Sequence, residues 1–142
     1  QNLSLDREAF AFVAPHSNVR DFYDEDEIQG VYYPEAEQLL KEVTGATGVV
    51  IFDCTLRNAQ RLQQGDNWIK EPVKRVHNDF TAKSGYTRAR RELAARGIDN
   101  IDELLQQRFT VINVWRPIAP VEESPLTVCD ALGHCTNRLG SW

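Results

Sequence analysis

The alternation of apolar and polar positions changes period along the chain, and each change marks an element. Residues 8–14 alternate with period two, with Phe10, Phe12 and Ala14 on one side, and predict a first strand. A loop over 15–20 follows, and Ile28, Val31, Tyr32 and Tyr33 then lead into a helical pattern. Ala36, Leu39, Leu40 and Val43 form one apolar stripe. Pro34 suits a first helical residue and Gly45 a stop, so a helix is predicted over 34–44. Residues 49–52, Val-Val-Ile-Phe, are wholly apolar and rich in β-branching, and predict a buried strand. Residues 57–71 are polar, carry Gly65, Asp66 and Asn67, and read as a loop or excursion. Pro72 opens a predicted strand over 73–80, in which Val73, Arg75, His77 and Asp79 share one face and Val76, Asn78 and Phe80 the other. Residues 81–107 are helical in character. Gly97 divides them, and Asp99 or Asn100 can cap a second helix carrying Ile101, Leu104 and Leu105. The strongest strand signal is Phe-Thr-Val-Ile-Asn-Val-Trp over 109–115, broken by Pro117 and Pro120; 126–129 predicts a last short strand. From 131 to 142 no periodicity remains. Strands joined by helical connections predict a β-rich α+β domain over 1–130 with an irregular C-terminal tail over 131–142.

Composition agrees with a globular domain: 142 residues, 42% hydrophobic and 26% charged. The formal net charge of -5 argues against nucleic acid or an anionic membrane surface as a partner, since both demand a basic face. The acidic excess is concentrated in Asp21, Asp24, Glu25, Asp26 and Glu27, which read as a solvated helix start. Arg88, Arg90, Arg91 and Arg96 make one basic stretch, which reads as solvated surface. No apolar run reaches membrane-spanning length and no signal-peptide pattern is visible, so a cytoplasmic location is expected. The chain contains no Met, even at its first position, which leaves open a removed targeting segment. Cys54, Cys129 and Cys135 are odd in number and widely spaced, so free thiols are expected rather than a disulfide framework.

The feature with a mechanism is His77-x-Asp79. Mononuclear non-haem Fe(II) sites use two histidines and one carboxylate on one face of the metal and leave the other face open. His and Asp two residues apart on a strand point the same way and can reach one ion. Such a site also needs a distant second histidine and a cationic group to grip a co-substrate carboxylate. The plain alternatives are that Asp79 caps the following helix and that His77 is a satisfied strand histidine. His16 reads as a loop histidine. No serine has a neighbouring His–Asp arrangement, and no glycine-rich phosphate loop is present.

The strings around the pair are more specific. Val76-His77-Asn78-Asp79-Phe80-Thr81, Arg88-Ala89-Arg90-Arg91, Arg108-Phe109, Ile112-Asn113-Val114-Trp115-Arg116-Pro117-Ile118 and Pro125-Leu126-Thr127-Val128-Cys129-Asp130 resemble a fungal and bacterial oxygenase family. Tyr32-Tyr33-Pro34-Glu35 and Val50-Ile51-Phe52-Asp53 are similar to it as well. Its members include hydroxylase/desaturase proteins of fungal secondary-metabolite clusters, gibberellin-desaturase-like proteins and the cephamycin 7α-methoxylation component. The resemblance implies a partial double-stranded β-helix of jelly-roll or cupin type. It implies Fe(II) and 2-oxoglutarate as cofactors and hydroxylation or desaturation of a small-molecule substrate. His77 and Asp79 match the proximal metal ligands. Asn113, Trp115 and Arg116 match the signature strand and, with Arg75 on the ligand face, are the candidate catalytic residues. Arg116 is either a co-substrate contact or part of a structural ion pair. His134 is the downstream candidate for the third ligand, with Arg138 behind it as a candidate 2-oxoglutarate contact. Family members run to roughly twice this length, and many carry His where Cys54 follows Ile-Phe-Asp here. The alternative is a shortened member without oxygenase chemistry, a redox-neutral isomerase, cyclase or dehydratase or a small-molecule-binding protein. A homodimer or a partner subunit completing the barrel is the expected assembly.

Overall fold

A computed structural model describes residues 3–66, 68–75, 77–122 and 124–128. The first major element is one continuous helical run. It comprises α1 (Glu25–Glu27), a π-helical stretch (Ile28–Tyr32) and α2 (Tyr33–Thr44). The Asp24 carboxylate opens it by accepting from the backbone N–H groups of Asp26 and Glu27. The acidic cluster thus begins a helix, as its composition predicts. Its Glu27 also fastens the preceding loop, accepting from the backbone N–H of Arg20 at 2.6 Å and of Asp21 at 3.2 Å. The π stretch has a covalent cause. Pro34 has no N–H to give the Gly30 carbonyl four residues back, and its ring crowds that carbonyl, so the helix widens just before it. Gly45 ends α2 at φ 70°, its N–H bonding the Lys41 carbonyl at 2.8 Å, as the predicted stop requires.

Three further helices follow: α3 (Ala59–Gln63), α4 (Ala82–Ala95) and α5 (Ile101–Gln106). The first lies inside the polar stretch read as a loop, capped by Asn58 through a 3.0 Å bond from Arg61 N–H. Predicted division of 81–107 at Gly97 is observed, with Gly97 at φ 69°. Asn100 stands at the N-cap of α5 without a side-chain capping bond. Helices α4 and α5 are tied by the 2.6 Å Arg90–Asp102 ion pair.

The β-rich expectation is overturned. Among the described residues there is no β-strand, only one isolated parallel bridge between Arg57 and Lys70. The strands predicted over 8–14, 49–52, 73–80 and 109–115 are absent, as is the described part of 126–129; Val76 and Cys129 lie outside the described residues. With them goes the partial double-stranded β-helix, the jelly-roll or cupin-like fold that the resemblance implies. Alternation and β-branching favour an extended backbone, but a strand exists only when a neighbour supplies N–H and C=O partners. Here side chains supply some of those partners instead. Arg96 Nη2 donates to the Ile51 carbonyl at 2.6 Å, Arg116 Nη2 to the Pro15 carbonyl at 3.2 Å and Arg57 Nη1 to the Glu71 carbonyl at 2.8 Å.

Aromatic edges hold these segments to the helices. Helix α4 carries one segment on each side. Arg88 lies over the Phe52 ring, with its Cζ 4.6 Å from the centroid, and Phe52 meets Phe80 edge-on; Tyr86 meets Phe109 edge-on at 4.8 Å. The 57–71 excursion is pinned by Tyr23, which meets Trp68 edge-on, lies under Arg61 at 3.7 Å and accepts from Asn58 Nδ2 at 2.9 Å. Buried apolar side chains among the described residues are few: Ile28, Ala36, Leu105 and Ile69, the last only 1% exposed. No helix among the described residues is long and apolar enough to cross a membrane.

Candidate functional site

The His77–Asp79 segment runs between the 57–71 excursion and α4, and its end is fixed by the helix cap. Thr81 Oγ1 accepts from Ser84 N–H at 3.2 Å, while Ser84 Oγ accepts from Thr81 N–H at 2.8 Å. Thr81 therefore performs the capping that was an alternative role for Asp79, and the Asp79 carboxylate turns elsewhere.

It turns to His77. Asp79 Oδ1 lies 3.2 Å from His77 Nε2, and Asp79 Oδ2 accepts a 2.8 Å bond from Asn113 Nδ2, 34 residues on. His77 Nδ1 lies 2.9 Å from the Arg75 carbonyl oxygen. A carbonyl only accepts, so Nδ1 carries hydrogen. In neutral imidazole that leaves a lone pair on Nε2, aimed at the carboxylate. Two lone-pair atoms at this separation repel unless a proton or a cation lies between them. Arg75 thus meets the pair through its backbone; its side chain is exposed.

The separation suits an imidazolium–carboxylate ion pair and equally two ligands of one metal ion. Two ligands at right angles with bonds of about 2.1 Å stand about 3.0 Å apart, close to the separation of Nε2 and Oδ1. Histidine ligands characteristically give their other ring N–H to a carbonyl or carboxylate, as His77 does. The side chains are half-exposed, 53% for His77 and 44% for Asp79, so further ligands have room to approach. Among the described residues no group of three His, Cys, Asp or Glu side chains comes together as a metal cluster. His134 and Arg138, the sequence candidates for third ligand and co-substrate contact, lie outside the described residues, as do Cys129 and Cys135. Cys54 is a free, exposed thiol.

The remaining signature residues divide. Asn113 joins the pair, while Trp115 is 47% exposed. Arg116 bonds the Pro15 carbonyl, and its guanidinium lies 5.7 Å from the Tyr32 ring centroid. It shares with His16, Tyr32, Glu35 and Val114 the lining of a cavity of about 40 Å³, room for a water molecule or so. Burial pushes the Tyr32 hydroxyl above its ordinary value, with Arg116 opposing. Bonds from Ser17 Oγ at 2.6 Å and Asn18 N–H at 2.7 Å hold the Glu35 carboxyl below the usual range. Beginning at the residue after Asp79 is a larger open cavity of about 380 Å³, lined by Phe80, Thr81, Lys83, Ser84, Thr87, Arg88 and Arg91. Its polar groups are largely committed: the Thr81 and Ser84 hydroxyls serve the helix cap, Thr87 Oγ1 donates to the Lys83 carbonyl, and Arg88 and Arg91 pair with Glu92. Sequence reading missed this lining because the basic stretch gave no sign of which side chains flank Phe80. It missed the Thr81–Ser84 cap although Thr-x-x-Ser is a visible variant of the capping box.

Residues 1–138 match the family described as Oxidoreductase/YMDC permease-like domain. The chain is 33% identical over 137 residues to an oxidoreductase of Emericella nidulans, covering 92% of this chain and 45% of the relative. It is 30% identical over 135 residues to the alpha-ketoglutarate-dependent dioxygenase phiK of a fungal species, covering 92% of this chain and 48% of the relative. A hydroxylase/desaturase of Cercospora beticola is 33% identical over 144 residues, with 92% and 43% covered. No solved structure gives a significant match. The chain belongs to this oxidoreductase family, and the resemblance carried by the strings around His77 and Asn113 is borne out. It spans less than half the length of these curated relatives.

Proposed function

We propose that this chain contributes the proximal metal ligands, His77 and Asp79, to an Fe(II)/2-oxoglutarate-dependent oxygenase that hydroxylates or desaturates a small-molecule secondary metabolite. The observation that carries the reading is the 3.2 Å approach of His77 Nε2 to Asp79 Oδ1, with Nδ1 committed to the Arg75 carbonyl. It is supported by the names of relatives, which include an alpha-ketoglutarate-dependent dioxygenase and an Fe(II)/2-oxoglutarate-dependent dioxygenase. Bound Fe(II) with 2-oxoglutarate and O2 would supply the oxidising power to break a C–H bond. The chain's own residues would do the rest. His77 would turn Nε2 to the cation, its ring oriented by the bond from Nδ1 to the Arg75 carbonyl. Asp79 offsets the charge of the cation. Lys83, one turn after the pair on the wall of the neighbouring cavity, would hold a carboxylate or hydroxyl of the organic ligand. His134 is the proposed third ligand and Arg138 the proposed 2-oxoglutarate grip.

The test is anaerobic titration of the chain with Fe(II) and then 2-oxoglutarate, followed by visible absorption and, with O2 admitted, succinate release. A charge-transfer band lost in His77→Ala and in Asp79→Ala supports the reading. Absence of Fe(II) binding, with no succinate formed, overturns it. Loss of the band in His134→Ala supports the third-ligand assignment, and an unchanged band removes it.

A further inference from the structure

We infer that Asn113 is a positioning residue for Asp79: by holding Oδ2 it turns Oδ1 towards His77 Nε2. The inference rests on the proposed reading of His77 and Asp79 as ligands of one metal ion, and gives that pair its preset geometry. The terminal torsion of an aspartate is soft, so an exposed carboxylate without a second partner samples a broad range of orientations. Among the described residues the only groups on the Asp79 oxygens are His77 on one and Asn113 on the other. The bond has a defined sense, because a carboxylate oxygen only accepts and the 2.8 Å partner must be the amide N–H. An amide nitrogen that donates has no lone pair to give a metal, so through this atom Asn113 acts on Asp79 alone.

The bond also has a fixed origin. Asn113 lies between two anchors of its extended segment, the Tyr86–Phe109 edge contact at 4.8 Å and the 3.2 Å bond from Arg116 to the Pro15 carbonyl. His77 is held by the Arg75 carbonyl from its own segment. The two donor atoms are thus each oriented by a separate backbone, and a cation meets them already set. Loss of such an outer partner weakens metal affinity by about 10- to 100-fold.

The experiment uses the chain with Mn(II) as probe, the free ion being counted by its electron-paramagnetic-resonance signal. Asn113→Leu keeps the shape but removes the donor, and Asn113→Gln restores a donor one methylene further out. Expected is a 10- to 100-fold weaker Mn(II) affinity in Asn113→Leu and partial recovery in Asn113→Gln, with far-ultraviolet circular dichroism and unfolding midpoint unchanged. A second reading needs no metal: the His77 Nε2 nitrogen resonance should move in Asn113→Leu in the same direction as in Asp79→Ala. Mn(II) affinity of Asn113→Leu within about twofold of the unsubstituted chain, or a His77 resonance that responds to Asp79→Ala but not to Asn113→Leu, overturns the inference. An unsubstituted chain that binds no Mn(II), while His77 responds to both substitutions, removes the metal reading and leaves the Asn113–Asp79–His77 arrangement standing.

Discussion

Substituting the cap of α4 separates the two roles that Asp79 could have. Thr81 and Ser84 each accept from the other's backbone N–H, at 3.2 and 2.8 Å, and their hydroxyl oxygens lie 3.1 Å apart. Thr81→Ala leaves the Ser84 N–H without its partner and costs about 1 kcal/mol. Ser84→Ala loses a bond of similar size but regains about 0.5 kcal/mol of helix propensity, so its net cost is about half a kcal/mol. Since each hydroxyl holds the backbone that the other needs, the double substitution should cost less than the sum of the two, by about 0.5 kcal/mol. Asp79→Ala should leave the stability of α4 unchanged, because the helix does not depend on that carboxylate. Urea unfolding of the four variants gives the cycle, and hydrogen exchange at the Ser84 and Gly85 amides localises it. A Thr81→Ala variant within about 0.3 kcal/mol of the unsubstituted chain would refute the argument. So would an Asp79→Ala variant that frays α4, since Asp79 would then be the cap and not a free ligand.

Other substitutions probe features further from the pair. Ile69→Ala removes three carbons from the most buried side chain described and should cost about 3 kcal/mol in urea unfolding, with faster exchange at the Lys70 amide that bonds Leu56. Gly45→Ala forces a Cβ into φ 70° and should cost about 1 kcal/mol, lowering the thermal midpoint by a few degrees. Acid titration should depend on Glu27, whose carboxyl is lowered from 4.5 chiefly by the backbone N–H groups of Arg20 and Asp21. A lowered folded value means that its contribution is present above about 4.5 and is lost as pH falls through the folded value. Glu27→Gln should therefore lower stability at neutral pH and flatten the acid limb of the unfolding curve below that point; an identical limb in both chains would refute the assignment.

Helices α2, α4 and α5 were legible because their signals are local, whereas α3 lies inside the polar stretch 57–71 that reads as a loop. Pro34, Gly45, Gly97 and the stripe at Ala36, Leu39, Leu40 and Val43 act within a turn or two of themselves, and boundaries near 34–44 and across 81–107 followed. Extended segments were misread because their composition speaks only for an extended backbone, whereas a ladder depends on residues elsewhere. Ile51 and Phe52 meet Arg96 at the C-cap of α4 and Arg88 within it rather than a neighbouring strand. For the site, two-residue spacing suggested that His77 and Asp79 face one point; the strand supposed to align them is absent, and a bend at Asp79 with two bonds, His77 to the Arg75 carbonyl and Asn113 to Asp79, sets them 3.2 Å apart instead. Asn113 was named from its signature string, and its partner could not be, since nothing local to either residue links positions 34 apart.

The π stretch before Pro34 also resets the angular bookkeeping of its helix. Ile28 and Ala36 are both buried, yet eight ordinary α-helical steps of about 100° would leave them about 80° apart. A widened turn absorbs roughly one residue, so the rotation becomes that of seven steps, about 20° short of two full turns. The two side chains then fall on nearly one line and serve a single apolar seam. Pro34 thus acts as a register shifter, and the helix is equivalent in facing to a shorter regular one. Removing Gly30 together with Pro34→Ala should give an uninterrupted α-helix that still presents Ile28 and the residue now standing for Ala36 on the same side.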